Sequence, residues 1–139
     1  MHRRPLGRGR RLAAIAAVLL IVACLLPWYS VGGDGGLPLT EWRAFDGSGI
    51  LDFLAALAVL ALMALPYATP GRPVALDAWP AYLILFVVAL VGVVWWPIQY
   101  LIDPSGLLPT RAPGFWIAVV GVLVLARAVF EIHREPVAR

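Results

Sequence analysis

The sequence predicts an all-α integral membrane protein, a bundle of four transmembrane helices. The chain of 139 residues is 62% hydrophobic, with a mean hydropathy of +0.88, whereas soluble domains are about half apolar. Only 14% of the residues are charged, against about a quarter in soluble domains. The apolar residues form four blocks, each close to the roughly 20 residues that cross a hydrocarbon core as a helix.

The four blocks are expected to be helices because a lone strand would leave its backbone groups unpaired in lipid. The predicted spans run from Leu12 to about Tyr29, from about Gly49 to Pro66, from Ala81 to about Leu101 and from Gly114 to Ile132. They form a single membrane domain over residues 1–139, arranged as two in-out-in hairpins. Residues 1–11 are a basic tail and residues 133–139 a second tail.

The end of the first span allows two interpretations. The Arg-rich start followed by Ile-Val-Ala-Cys at residues 21–24 is typical of a lipoprotein signal, whose cleavage would leave an acylated Cys24 and three spans. However, the apolar run continues past Cys24 to an interfacial Trp28 and Tyr29, which gives it the length of a full span. This continuity favours an uncleaved helix with a buried, inert thiol.

The second span follows a glycine-rich, acidic loop, residues 30–48, which is too short for a separate domain. Asp52 is the deepest carboxylate at this end of the span. Ionisable groups inside membranes are expensive and often functional. Because Asp52 lies only about one turn from the interface, a helix cap or an ion pair with Arg43 is the simpler expectation.

The third and fourth spans carry the remaining packing signals. Pro113 marks the start of the fourth helix. Small residues recur in the second and fourth spans and allow close helix approach; they are Ala55, Ala58, Ala61 and Ala64, and Gly114, Ala118 and Gly121. The sequence leaves open whether these rows pack the bundle itself or contact a membrane-protein partner or a second copy of the chain.

The arginines predict the orientation of the spans. All 11 basic residues are Arg, and the absence of Lys is typical of a G+C-rich, bacterial genome. Nine lie in the two tails, near the inner end of the fourth span or in the loop between spans two and three, against Arg43 and Arg111 on the opposite side. The positive-inside rule therefore predicts a multi-pass protein of the bacterial inner (plasma) membrane with both termini cytoplasmic.

The two halves of the sequence could be a parallel internal repeat. When the halves are aligned with an offset of 70 residues, Pro27 meets Pro97, Thr40 meets Thr110 and Phe45 meets Phe115. A real repeat would relate the two hairpins by an axis along the membrane normal. Two hydrophobic hairpins also match partly by pattern alone, so the duplication is left undecided.

Most aromatic residues fall near the predicted outer side of the membrane. The plainer interpretation is an interfacial aromatic belt. The alternative is an outward-facing aromatic cup that binds a lipid or small amphiphile. The candidate cluster, either ligand-binding or structural, consists of Trp28, Tyr29, Trp42, Arg43, Phe45 and Asp52.

Catalytic and cofactor motifs are missing from the sequence. His2 and His133 lie in the cytoplasmic ends and Cys24 is the only cysteine, so no metal-binding constellation is expected. Ser48 has no outward His or Lys to activate it. We therefore predict no enzyme activity, no cofactor and no metal, and the arginines are expected to orient helices and not to bind nucleic acid.

Part of the chain resembles a known group of proteins. Leu26-Pro27-Trp28-Tyr29, then Thr40-Glu41-Trp42-Arg43-Ala44-Phe45 and finally Asp52 look like the first hairpin of small uncharacterised four-span membrane proteins of actinobacteria and related bacteria. The resemblance covers roughly residues 12–66. It implies a shared outer structure around Trp28, Trp42, Phe45 and Asp52, and it implies no reaction.

Two functional hypotheses follow. The first is a non-enzymatic membrane protein that acts through a partner or an oligomer. The alternative is an outward-facing binder of a lipid or small amphiphile, or a transporter accessory subunit, which uses the aromatic cup with Asp52 and Arg43.

Overall fold

A computed structural model describes residues 7–33, 38–68, 78–102 and 111–135 of the chain. Within these ranges the protein is mostly helical. Its elements are α1 (Arg8–Leu25), β1 (Pro27–Val31), β2 (Thr40–Arg43), a 3-10 turn (Ala44–Asp46), α2 (Ile50–Ala68), α3 (Trp79–Ile102) and α4 (Pro113–Arg134).

The first helix differs from its predicted span at both ends. α1 begins at Arg8, so part of the predicted basic tail forms its first turns. It ends at Leu25 and not at Tyr29, because the residue before a proline is pushed out of the helical region and Pro27 follows Leu26 directly. Leu26 accordingly has extended backbone angles, φ −90° and ψ 155°.

A small antiparallel sheet replaces the expected end of the first span, so the fold is not purely helical. β1 pairs with β2, with Tyr29 opposite Trp42 and Val31 opposite Thr40. The register shifts between Pro27 and Tyr29, which makes Trp28 the extra residue of a bulge. Such bulges redirect a side chain, and here Trp28 and Tyr29 are consecutive and both buried.

The other three helices confirm the predicted spans to within two residues at each end. α2, α3 and α4 are the helices, among the described residues, that are long and apolar enough to cross a membrane. α1 is not among them because its 18 residues include Arg8, Arg10 and Arg11. Its apolar part, from Leu12 to Leu25, is correspondingly short.

The helices form an up-down-up-down bundle in which each neighbour along the chain is antiparallel. α1 also packs against α4, and this is the most extensive contact between two elements. Gly9 in α1 lies so close to Ile132 in α4 that a Cβ on Gly9 would touch it. Gly114 in α4 lies equally close to the carbonyl oxygen of Ala23 in α1. The start of α1 therefore lies beside the end of α4. We call this the terminal end of the bundle, and the opposite end, with the sheet, the hairpin end.

The small residues of α4 pack inside the bundle. Gly114, Ala118 and Gly121 are buried, and a Cβ on Gly121 would lie 3.0 Å from the side chain of Leu20 in α1. The row on α2 is divided, because Ala55 is buried while Ala61 and Ala64 are exposed. The fourth-span row thus serves the α1/α4 interface and not an outside partner.

One pair of segments aligned by the possible repeat adopts different structures. Pro27–Val31 is a strand, whereas Pro97 lies inside α3, which continues to Ile102. The alignment of Thr40 with Thr110 involves a residue outside the described ranges. Elsewhere the aligned segments agree. Residues 12–25 of α1 align with residues 82–95 of α3, residues 50–64 of α2 align with residues 120–134 of α4, and all four segments are helical. The duplication therefore stays undecided.

Candidate functional site at the hairpin end

Trp28 closes the hairpin end of the bundle. Its side chain is fully buried, and its indole Nε1–H donates a hydrogen bond to the carbonyl oxygen of Ala23, with an N···O distance of 2.9 Å. Glycines make room for the ring on two sides. A Cβ on Gly114 would lie 2.6 Å from Trp28 Cδ1, and a Cβ on Gly49 would lie 3.0 Å from its Cη2.

Further aromatic rings enclose Trp28. The rings of Trp96 and Phe115 meet it edge-on, with centroid distances of 6.3 and 6.0 Å, and stack on each other at 4.9 Å. Tyr29 joins this cluster through Trp96 and Trp42. The expected aromatic cup is thus largely filled by its own side chains, and such edge-to-face pairs contribute to packing.

Trp42 and Phe45 lie at the rim of the cluster. Each is 45% exposed; Trp42 contacts Tyr29 at a centroid distance of 4.9 Å and Phe45 contacts Phe53 at 5.2 Å. The backbone N–H of Arg43 donates to Asp46 Oδ2 over 2.8 Å. This bond holds the 3-10 turn that leads from β2 toward α2.

Asp52 lies apart from the rim, in the interior between α2 and α3. It is fully buried, and neither carboxylate oxygen has a hydrogen-bond partner among the described residues. The expected cap or pair with exposed Arg43 is therefore not formed. Asp52 Oδ2 lies 2.5 Å from the position that a Cβ on Gly92 would occupy, so the absence of a side chain at Gly92 makes room for the carboxyl group.

The surroundings of Asp52 are rich in hydrogen-bond acceptors. Ser48 Oγ donates to the carbonyl oxygen of Gly92 over 2.9 Å, which ties the start of α2 to α3. The thiol of Cys24 points to the carbonyl oxygen of Gly49, with an S···O distance of 3.6 Å. Cys24 is fully buried, and cleavage before it would remove the part of α1 that packs along α4.

A cavity of about 520 Å³ opens beside the sheet, between β1, β2 and the start of α4. Its walls are partly apolar and partly charged. They are formed by Leu26, Pro27, Ser30, Gly32, Gly33, Leu39, Glu41, Arg111 and Pro113. Trp28, Tyr29, Trp42, Arg43, Phe45 and Asp52 do not line it, so the predicted cluster neighbours the cavity without forming it.

A bridge between distant segments builds this cavity. The backbone N–H and the hydroxyl of Ser30 both donate to the carbonyl oxygen of Arg111, over 3.1 and 2.9 Å. The bridge sets Arg111 beside the sheet that carries Glu41. Neither side chain forms an ion pair with any residue that the structure describes. The sequence did not reveal this site, because Glu41 and Arg111 lie in different loops.

Comparisons leave the chain without a relative from which a function could be transferred. No known family, curated protein or solved structure matches it. Across residues 7–33, 38–68, 78–102 and 111–135, no group of three His, Cys, Asp or Glu side chains is placed to hold a metal ion. The resemblance of the first hairpin to four-span actinobacterial proteins stays a prediction.

Proposed function

We propose that this chain is a four-span protein of the bacterial inner membrane that binds a small amphiphile at its hairpin end. The cavity beside the sheet carries this proposal, because it combines two charged groups of opposite sign with an apolar wall. Ligand sites typically pair an apolar lining with a few polar groups. We infer further that the role is binding and not catalysis.

The packing of α1 supports a fourth span. α1 lies along α4 from Ile132 to Gly114, and α4 is long and apolar enough to cross a membrane. The face of α1 that points away from α4 exposes apolar side chains at helical spacing, which suits contact with lipid. These side chains are Ile15, Val18, Val22 and Leu25. The arginines in its first turns would then reach the interface by snorkelling.

The distribution of the arginines supports a cytoplasmic position for the terminal end of the bundle. Reporter fusions at residues 35, 75 and 139 test this orientation in cells. We expect an extracytoplasmic signal at residue 35 and cytoplasmic signals at residues 75 and 139. An extracytoplasmic residue 75 would overturn the four-span topology.

The chemistry of the cavity favours a zwitterionic headgroup. The guanidinium of Arg111 suits a phosphate or carboxylate, and the carboxylate of Glu41 suits an ammonium group. Leu26, Leu39 and Pro113 offer the apolar surface for the start of a hydrocarbon chain. A single-chain phosphatidylethanolamine has all three features.

Binding can be measured on the purified full chain. Lysophosphatidylethanolamine is titrated in mild detergent and complexes are counted by native mass spectrometry. We expect Arg111→Ala and Glu41→Gln each to weaken binding about tenfold or more, the loss typical of a hydrogen bond to a charged group. The Ser30 bridge uses the backbone of Arg111, so it survives both changes.

Arg43→Ala is the matched control. It removes the same charge from the same end of the bundle, but Arg43 does not line the cavity. Equal affinity of the Arg43 and Arg111 variants would show that general surface charge, and not this cavity, attracts the probe. Absence of a complex with the unaltered chain would overturn the proposal.

A role through a partner or an oligomer is the second candidate. α3 leaves a broad apolar surface uncovered, including Val87, Val91 and Val94. Purification in mild detergent followed by native mass spectrometry would then show a second protein or a second copy at fixed stoichiometry. A monomer without either would reject this candidate. Catalysis is less favoured because Ser48 and His133 lie at opposite ends of the bundle.

A further inference from the structure

A second concave surface lies at the terminal end, between α3 and α4. This groove has a volume of about 320 Å³ and an almost entirely apolar lining. Its walls are Trp79, Leu83, Phe86, Ala126, Val129, Phe130 and His133. Both helices are long and apolar enough to cross a membrane, and the exposed rings of Trp79 and Phe130 show that the groove opens on the outside of the bundle.

Two nitrogen-bearing side chains mark the polar end of the groove. The ring of His133 meets the edge of Trp79 at a centroid distance of 4.8 Å. The guanidinium carbon of Arg134 lies 4.0 Å from the centroid of the Phe130 ring. This stacking is a cation–π contact, and it fixes the guanidinium beside the groove while its N–H groups stay available.

The neighbouring carboxylates are already occupied. Glu131 pairs with Arg127 one turn earlier. Glu135 pairs with Arg10 at 3.2 Å and accepts the backbone N–H of Gly9. Arg134 forms no ion pair with any described residue. Among the described residues, no carboxylate compensates the positive charge of Arg134 at the mouth of the groove.

We propose that this groove binds one anionic phospholipid, with an acyl chain along the groove and the phosphate at Arg134 and His133. Guanidinium groups bind phosphate in a bidentate manner, and basic pockets between transmembrane helices recognise lipid headgroups. The acyl chain covers Leu83, Phe86 and Val129. This site is separate from the cavity beside the sheet, which lies at the other end of the bundle.

The headgroup preference is tested with the full chain in nanodiscs that contain equal amounts of phosphatidylglycerol and phosphatidylcholine. After transfer to mild detergent, retained lipids are counted by native mass spectrometry. We expect one phosphatidylglycerol per chain. Arg134→Ala and Arg134→Gln should each reduce its retention about fivefold, the contribution expected of one Arg near an anionic surface.

Arg11→Ala is the control for general charge, because it removes one arginine from the terminal end without touching the groove. It should leave lipid retention unchanged. Equal losses in the Arg11 and Arg134 variants, or equal retention of the two lipids by the unaltered chain, would overturn the proposal.

The acyl-chain position is tested by filling the groove. Ala126→Trp keeps Arg134 but occupies the space between the helices, so it should abolish retention of phosphatidylglycerol. Elution volume and far-UV circular dichroism verify that each variant folds. Retention that persists in a folded Ala126→Trp variant would overturn the acyl-chain placement. A dimer that this substitution dissociates would show that a second copy, and not a lipid, fills the groove.

Discussion

Helix α4 is packed in opposite ways on its two flanks. Toward α1 it presents Gly114, Ala118 and Gly121, and all three are buried. Toward α3 it presents Val129 and Phe130, and a groove remains between the helices. Side-chain size thus decides which neighbour α4 approaches closely.

This difference reflects the physics of packing in lipid. Acyl chains are as apolar as Leu, so hydrophobicity gives two membrane helices little reason to associate. Close van der Waals contact between small residues is the main source of attraction. The α1/α4 interface has such residues on both helices, including Gly9 and Ala23 of α1, whereas the α3/α4 interface leaves space for lipid.

The largest effect should follow from Gly114→Ala at the close flank. The added Cβ would lie 2.7 Å from the carbonyl oxygen of Ala23 and 2.8 Å from that of Leu26, and backbone atoms cannot easily yield. We expect the free energy of unfolding to fall by about 3 kcal/mol, as measured by unfolding in mixed micelles. Gly47→Ala, where the nearest atom is 3.9 Å away, should cost less than about 0.5 kcal/mol. Similar costs at both positions would contradict the close approach.

The second-largest effect is expected where α3 packs against α2, and it tests whether α3 is closely packed on this side. Gly92→Ala would place a Cβ 2.5 Å from Asp52 Oδ2, so we expect a loss of about 2 kcal/mol. Asp52→Ala removes that oxygen. A double-mutant cycle in the same micelles should give a coupling of about 1 to 2 kcal/mol that offsets part of the loss. Additive costs would show that Gly92 and Asp52 do not make this contact.

A smaller effect should follow from Trp28→Phe. The phenyl ring keeps much of the aromatic packing but loses the hydrogen bond to Ala23, so we expect a loss of about 1 to 2 kcal/mol in thermal unfolding. Trp42→Phe makes the same change at a half-exposed ring and should cost less than about 0.5 kcal/mol. If Trp42→Phe proved the more costly change, the conclusion that Trp28 closes the hairpin end of the bundle would be wrong.

The smallest effect is expected at the open flank of α4. Ala126→Leu adds apolar volume where the groove has room, so the free energy of unfolding should change by less than about 0.5 kcal/mol. Ala118→Leu adds the same atoms at a fully buried position of α4 and should cost about 1 to 3 kcal/mol. Equal costs in a thermal unfolding series would remove the distinction between the flanks.

The lengths of the apolar runs predicted α2, α3 and α4 well, because span length is set by bilayer thickness. The predicted end of α1 was wrong, although Pro27 indicates that a helix should end before it. The short strand Pro27–Val31 lies in a stretch that can also be interpreted as a helix end with aromatic anchors, so hydropathy alone could not identify it. Its partner Thr40–Arg43 lies in the predicted loop, where four residues carry too weak a pattern to predict a strand.

The candidate site was harder to predict because distant residues create it. The aromatic cluster could be located near the interface, but burial of Trp28 depends on the absence of side chains at Gly49 and Gly114. Asp52 is buried because Gly92, on another helix, leaves space for it. Likewise, Glu41 and Arg111 line the same cavity because Ser30 bonds to the backbone of Arg111. No local sequence pattern predicts this contact between distant segments.

The contact between the first and last helices has a consequence for biogenesis. During translation, α1 is synthesised before α2 and α3, while α4, its most extensive contact, is synthesised after them. Until then, the alanine-rich face of α1 lacks its main partner. Closure of the bundle, where Glu135 meets Gly9 and Arg10, must therefore wait until all four helices have been made.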